Sequence, residues 1–523
     1  MGKRVPHRLR SIVAAVVALV GLALAVLGLR PGPARLRPGD PSFVNADRPG
    51  INAHNSPAVA QDPGNPSTIV LADRIDTPRF SCSVSLSTTG GATWKPLSLP
   101  LPSDAPNCHQ PDVAYTGAGR LLVLYTATGG RFNQPVGVWL QRFDGDRPAG
   151  PAVRVAPAEA FHARMAVDEA RVWVTWVQAD GAAEQPLGFL HAAAPLRMAR
   201  SADAGATFSP PETVSEGRRV VQPTPVSLGG GRLVVGALDL ADDVVDYEAR
   251  HGGQGGPPSE GHWRVVTWSS ADGGATFGSP ATVADDLVIP ARIIVNLAPA
   301  PSFARDPNRA GRLYAAWDAG QGAERDVYLA RSDDDGANWS RPVRVGPGLG
   351  GQFLPAVAVS PGGRVDVVFY DRRADPEDRR ATVTLASSRD GGRTFRSAVV
   401  SDAPFDTRIG FGSLQGIPVL GSRLAVLSET DRVLAFWSDT SRGTIDDNVQ
   451  DLAGVTVEVE DAGRRRPVVV ALGVLLLGLG AGLGLAGRRA GLGLAGRGLA
   501  GRRGGRRRLV GGLGPGDRRP QQP

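Results

Sequence analysis

The residues best equipped for chemistry sit at the ends of short apolar runs and are of three kinds: carboxylates, guanidinium groups and aromatics. Tyr370-Asp371-Arg372-Arg373 closes one run and Ala72-Asp73-Arg74-Ile75-Asp76 another; Leu238-Asp239, Trp317-Asp318 and Trp437-Ser438-Asp439 close three more. A guanidinium fork holds a planar carboxylate bidentately. Aromatic rings stack on sugars, and carboxylates accept hydrogen bonds from sugar hydroxyls. Arg74, Asp76, Asp239, Asp318, Tyr370, Asp371, Arg372 and Arg373 are therefore the candidate ligand-binding residues, suited to a glycan; no catalytic residue is assigned. The same pattern has a second physical reading. Each Asp can cap its own loop by an Asx turn while each aromatic packs inside its sheet, and recurrence at equivalent places is what such a structural role predicts.

No metal or cofactor is expected. The seven histidines are scattered, no Cys/His spacing resembles a zinc site, and Asp333-Asp334-Asp335 lacks the spacing and terminal Glu of a calcium loop. Cys82 and Cys108 are the only cysteines. In an oxidising compartment an isolated pair closes a disulfide, stabilising the fold by about 3 kcal/mol for a loop of this length. The stretch from Asp239 to His262 is the longest loop expected between second and third strands. Its Tyr247 and Glu248 could imitate a nucleophile and its base, and the loop could equally be a plain insertion.

The elements that would position these residues announce themselves as a repeat. An octapeptide recurs with its key residues at Ser201, Asp203 and Gly205; Ser270, Asp272 and Gly274; Ser332, Asp334 and Gly336; and Ser388, Asp390 and Gly392. A fifth copy at 87–94 carries Thr89 at the Asp position. Short Ser and Asp side chains accept backbone N–H bonds across a tight turn, the Gly supplies a positive φ, and the closing Trp or Phe packs between sheets. Intervals of 114, 69, 62 and 56 residues leave room for one unit that has lost its box, around Arg142 to Arg147. Each box sits in a unit of four short strands, as in 356–400, and seven first hairpins can be counted. The fold class is all-β: a β-propeller of six or seven four-stranded blades, seven favoured, flanked by two membrane helices.

These boxes resemble the Asp boxes, or bacterial neuraminidase repeats, of the sialidase superfamily. The resemblance covers about residues 50–460 and implies a propeller whose ligand site lies at the rim opposite the boxes. Sialidases grip the substrate carboxylate with three arginines and use a Tyr nucleophile activated by Glu, with an Asp acid/base. This chain departs from that pattern. Arg74-Ile75 stands where the first Arg motif is expected, Gln222 near the Glu, Leu238-Asp239 near the second Arg, and Gly410-Phe411-Gly412-Ser413-Leu414 where Tyr-Ser is expected, with no Tyr beyond Tyr370. The resemblance thus implies the fold and leaves the chemistry open.

The 523 residues exceed one ordinary core, and 42% hydrophobic with 21% charged residues exclude wholesale disorder. The net charge of +7 divides unevenly. Residues 1–30 carry five basic groups and no acid; residues 464–523 carry thirteen arginines and one acid; the middle is left at about −10. With an acidic middle the pI of 9.9 is no argument for nucleic acid, and no nucleic-acid partner is expected. A basic start followed by the apolar run Ser11 to Leu29 reads as a signal peptide or signal anchor (1–30), then a linker (31–49), the propeller (50–460), a transmembrane helix (467–487) and a basic cytoplasmic tail (488–523). The expected protein is thus a membrane-tethered, extracytoplasmic propeller that binds glycan or a cell-surface protein at the bacterial surface. An exo-sialidase-type hydrolase with a divergent site and a protein-interaction or assembly scaffold are the alternatives. Three arginines clustered at the mouth would favour the hydrolase, an apolar rim the scaffold.

Overall fold

The structure, a computed structural model, describes residues 34–461 apart from 46–51, 77–79, 131–133, 180–193, 242–262, 288–299, 321–323, 347, 411–418 and 448, together with helical residues 7–29, 472, 474–479 and 481. The chain divides into two units, 33–462 on one side and both termini on the other.

The larger unit consists of seven antiparallel sheets, made in turn by residues 54–96, 107–156, 160–215, 220–287, 302–344, 352–406 and 425–461. They are numbered here as blades one to seven. Seven blades settle the open count. The first strands of successive blades contact one another and so line the axis. Second strands run nearly continuously apolar: Arg171–Gln178 reads RVWVTWVQ and Val365–Asp371 reads VDVVFYD, buried along almost their whole length. A strand sandwiched between neighbours on both faces has no reason to alternate. The apolar clusters accordingly lie between sheets, as where Ile69 and Leu71 of blade one meet Leu434 and Phe436 of blade seven.

Within the expected linker 31–49, the described residues supply two strands. Ala34–Pro38 is the outer edge of blade seven, paired with Asp451–Asp461, and Ser42–Phe43 pairs with the same strand. The ring is closed by its own N-terminal segment. Blade seven therefore has no turn between third and fourth strands and can hold no box. Blade two turns at Gly145-Asp146 between Gln134–Asp144 and Arg147–Pro148, where the box was expected to be missing.

The boxes form the same turn four times. Ser201 Oγ accepts from Gly205 N at 2.9 Å and donates to Asp203 Oδ1 at 2.7 Å, and Asp203 accepts from Thr207 N and Oγ1 at 2.9 and 2.6 Å. Asp272, Asp334 and Asp390 repeat this pattern. The glycine is required twice over: Gly392 has φ +81°, and a Cβ there would stand 2.4 Å from Leu329 of blade five. Trp339 donates to Thr267 Oγ1 of blade four at 3.2 Å, so the closing aromatic fastens one blade to the last. Cys82 and Cys108 are joined by a disulfide between blades one and two.

In the smaller unit one helix spans His7–Leu29. Among the described residues no helix is long and apolar enough to cross a membrane, so the two flanking membrane helices are not established; most of the 467–487 run lies outside the described residues.

Candidate functional site

First strands begin, and second strands end, at the face opposite the boxes. Most of the expected ligand-binding residues do lie there, and most are engaged in holding their own blade. Asp239 accepts from Ala241 N at 3.0 Å, Asp371 from Arg373 N at 3.0 Å, and Asp439 from Ser441 N at 2.8 Å, each an Asx turn closing the loop that follows. Asp239 also pairs with Arg218 at 2.6 Å, and Arg373 Nε with Asp371 at 2.9 Å. Asp318 pairs with Arg325 and accepts from Leu354 N of blade six at 3.1 Å.

Tyr370 is not at the surface. It is fully buried and stacks on Phe353 at 5.1 Å. Its hydroxyl donates to Ser438 O and accepts from Ser438 N, both at 3.0 Å. Burial pushes the phenol far above its usual range despite those bonds. Such a phenol is neither a nucleophile nor a free stacking platform. Arg372 lies over the Phe353 ring, 4.6 Å from its centroid, and donates to Thr407 Oγ1 at 2.7 Å. Its carboxylate partner is Asp378 at 3.4 Å, and burial lowers its pKa. The Asp239–His262 loop with Tyr247 and Glu248 lies almost wholly outside the described residues.

Arg74 and Asp76 lie at the end of blade one's second strand but below the surface. Both are buried, with Arg74 Nε 2.6 Å from Asp76 Oδ1 and Asn55 donating to Asp76 at 2.8 Å. Arg74 Nη1 has no hydrogen-bond partner. Around this pair the first strands gather residues that the strand-end pattern did not reveal. In blades one, two, three, four and six the first strand is interrupted by a bulge. At the bulge a buried residue adopts positive φ: Ser56 (55°), Gln110 (49°), His162 (56°), Gln222 (55°) and Leu354 (53°). A non-glycine residue in this region costs about 1–3 kcal/mol and persists only where its surroundings over-determine it. Proline follows at Pro57, Pro111, Pro223 and Pro355, a recurring sequence signal that could have located these positions.

The bulges place donors and acceptors between blades. Ser422 N donates to Ser56 Oγ at 2.9 Å, and Gln222 N to His162 Nδ1 at 3.4 Å. Arg423, from the segment entering blade seven, donates to Pro57 O at 3.0 Å and Pro111 O at 2.5 Å, tying blades one and two. Asp112 accepts from Met165 N at 3.0 Å and pairs with Arg164 at 3.2 Å. Burial, then the charge of Arg164, drives the Arg423 pKa well down; Asp112 opposes this and Arg74 adds to it. Burial, then Arg74, His162 and Arg423, drives the His109 pKa well down. Arg74, Arg164 and Arg423 thus come from three blades into one electrostatic group, with Asp76 paired to Arg74 and Asp112 to Arg164. Arg74 alone among the three was anticipated. Among the described residues no group of His, Cys, Asp and Glu could hold a metal ion.

No family model matches the sequence, and no curated protein matches it. Solved structures do match by shape. The BP39L lectin from Burkholderia pseudomallei superposes with a TM-score of 0.50 at 14% identity, over 79% of this chain and 98% of that one. An α-L-arabinanase from Penicillium chrysogenum complexed with arabinobiose gives 0.40 at 12% identity, over 81% and 98%. The Trypanosoma rangeli sialidase in complex with 2,3-difluorosialic acid gives 0.39 at 11% identity, over 86% and 61%. At such identities the likeness is one of fold. The protein is a seven-bladed β-propeller, and its likeness to the lectin is one of fold.

Proposed function

We propose that the protein is a glycan-binding propeller, displayed outside the cytoplasm and held at the membrane by its terminal segments, with its binding face opposite the boxes. The observation that carries this reading is the convergence of Arg74, Arg164 and Arg423, three guanidinium groups against two carboxylates. Burying like charges together is costly, and the carbonyl bonds that tie blades together account for Arg423 alone of the three. A ligand carrying a carboxylate or another planar anion would supply the missing countercharge and a partner for Arg74 Nη1. Arg164, with its side chain 20% exposed, is the member that such a ligand would meet first.

The same convergence favours a second reading, an exo-sialidase-type hydrolase. The described residues place no phenol in this group: Tyr370 is locked to Ser438, and Tyr125 donates to Pro100 O at 3.0 Å. Binding without hydrolysis is therefore the first reading. A glycan array and a fluorogenic sialoside, both run on the purified 31–463 fragment, separate the two. Array binding to acidic glycans without fluorophore release supports the proposal; turnover lost in Arg164→Ala supports the hydrolase. Neither binding nor turnover overturns both.

A further inference from the structure

On the box-bearing face, away from the arginine cluster, a cavity of about 390 Å³ opens between blades five and six. Its wall holds five guanidinium groups, from Arg309, Arg312, Arg331, Arg389 and Arg393, and the phenol of Tyr314. The local carboxylates are Asp306, Asp333 and Asp390, and all three are in use. Asp333 accepts from Arg312 at 2.5 Å and from Arg331 at 3.0 Å, Asp306 accepts from Asn308 N at 2.9 Å, and Asp390 is the acceptor of its box. Five guanidinium groups thus stand against three carboxylates that are already engaged. The Arg309 side chain is exposed and has no carboxylate partner among the described residues, while Arg393 reaches only the carbonyl of Asp390 at 3.3 Å.

Two further observations distinguish this cavity from a solvated basic surface. The first is Tyr314, which is 0% exposed, with its hydroxyl beside Arg312 and Arg331 yet making no hydrogen bond of normal geometry. A buried hydroxyl left without a partner is destabilising. The cavity floor beside it is kept open by Gly391 (φ +75°), where a Cβ would stand 3.1 Å from Arg331 Nη1 and 3.5 Å from Tyr314 Oη. The second is in the boxes themselves. At the sixth position the other copies carry Ala92, Ala206, Ala275 and Ala337; only this box carries arginine, Arg393, and only this box has arginine, Arg389, at its second position. The turn does not need these arginines, since four other copies form it without them.

We propose that this cavity is a binding site for a tetrahedral oxyanion, phosphate or sulfate, carried on a group the size of a sugar. Guanidinium forks suit the oxygens of such an ester, and the Tyr314 hydroxyl supplies a donor. The cavity exceeds what a bare oxyanion fills and falls in the range of small-molecule sites. The carrier can be a soluble sugar ester or a lipid headgroup.

The test is calorimetric titration of the purified full-length protein with glucose 6-phosphate, inorganic phosphate, inorganic sulfate and glucose at fixed ionic strength in chloride. Flotation with vesicles containing phosphatidylinositol 4-phosphate runs alongside. Glucose 6-phosphate should bind more tightly than either inorganic anion, and glucose not at all. Arg309→Ala/Arg393→Ala should weaken binding by about tenfold or more with an unchanged melting temperature, because Arg309 is exposed and Ala is what the other boxes carry at the Arg393 position. Tyr314→Phe should weaken it several-fold without loss of stability, which a purely structural tyrosine would not do. Flotation without binding of the soluble ester, abolished by the same double variant, supports the site and makes the headgroup its carrier. No binding in any arm, or binding that the double variant leaves unchanged, overturns it.

Discussion

Arg74 Nε lies 2.6 Å from Asp76 Oδ1, two residues along the same strand end, and neither side chain is exposed to solvent. An ion pair so placed is weak evidence for stability, because desolvating two charges offsets most of their attraction. Breaking it is another matter. Arg74→Met should destabilise the propeller by about 3–5 kcal/mol, since Asp76 is left buried and charged with Asn55 its remaining donor. Arg74→Met/Asp76→Leu should recover much of that loss. Urea denaturation of the three proteins decides it, and a single variant as stable as the parent would refute the account.

Tyr370 offers the converse test. Its hydroxyl both donates to and accepts from Ser438 of blade seven, linking blades six and seven. Tyr370→Phe leaves a buried backbone N–H and carbonyl unsatisfied, an expected loss of about 1–3 kcal/mol. Affinity for any glycan captured by the parent, measured at equal folded fraction, should not change. A selective loss of affinity with unaltered unfolding would return Tyr370 to the binding face.

These two residues mark where the sequence was legible and where it was not. The boxes could be read because their bonds are local: Asp203 finds all its partners within four residues. Strand-end carboxylates were equally visible, but Asp239, Asp371 and Asp439 bond the backbone two residues on, a cap that looks in sequence like a site. The arginine cluster was hidden because the ring brings together residues far apart in the chain. Arg423 bonds Pro57 and Pro111 across 366 and 312 residues, and nothing near Arg423 or Arg164 marks them out. The ring closure was missed for the same reason: Ala34–Pro38 is too short and too polar to read as strand until its partner, Asp451–Asp461, is in place.

The box carboxylates give the fold a dependence on acid. Burial pushes Asp203 upward, but hydrogen bonds from Thr207, Ser201 and Ala206 outweigh it and hold the carboxyl at about 2. Asp272, Asp334 and Asp390 are also lowered. Unfolded aspartate titrates near about 3.9. The depressed folded values therefore contribute stability that is fully present above about pH 4 and is lost as pH falls toward about 2. These groups are largely exposed, so solvent screening keeps each contribution small. The urea midpoint should fall between pH 5 and pH 2.5, and the fall should be shallower in Asp203→Asn/Asp390→Asn. An identical slope in parent and variant would contradict the assignment.

Closure of the ring by the N-terminal strand makes the sharpest prediction. Ala34–Pro38 forms a five-residue antiparallel ladder with the last strand, Gly39 N donates to Thr456 O at 3.0 Å, and Leu36 packs on the cluster of blades six and seven. A chain beginning at residue 45 loses this ladder, whose hydrogen bonds are worth about 1 kcal/mol net each. It also exposes the whole edge of Asp451–Asp461, an unpaired template on which copies can associate. The shortened protein should melt several degrees lower and associate with rising concentration, whereas a chain beginning at residue 33 should do neither. A synthetic peptide of residues 33–44 added in trans should re-pair with that edge, raise the melting temperature again and suppress association. Equal melting of the two shortened chains, with no response to the peptide, would show that blade seven stands without its fourth strand.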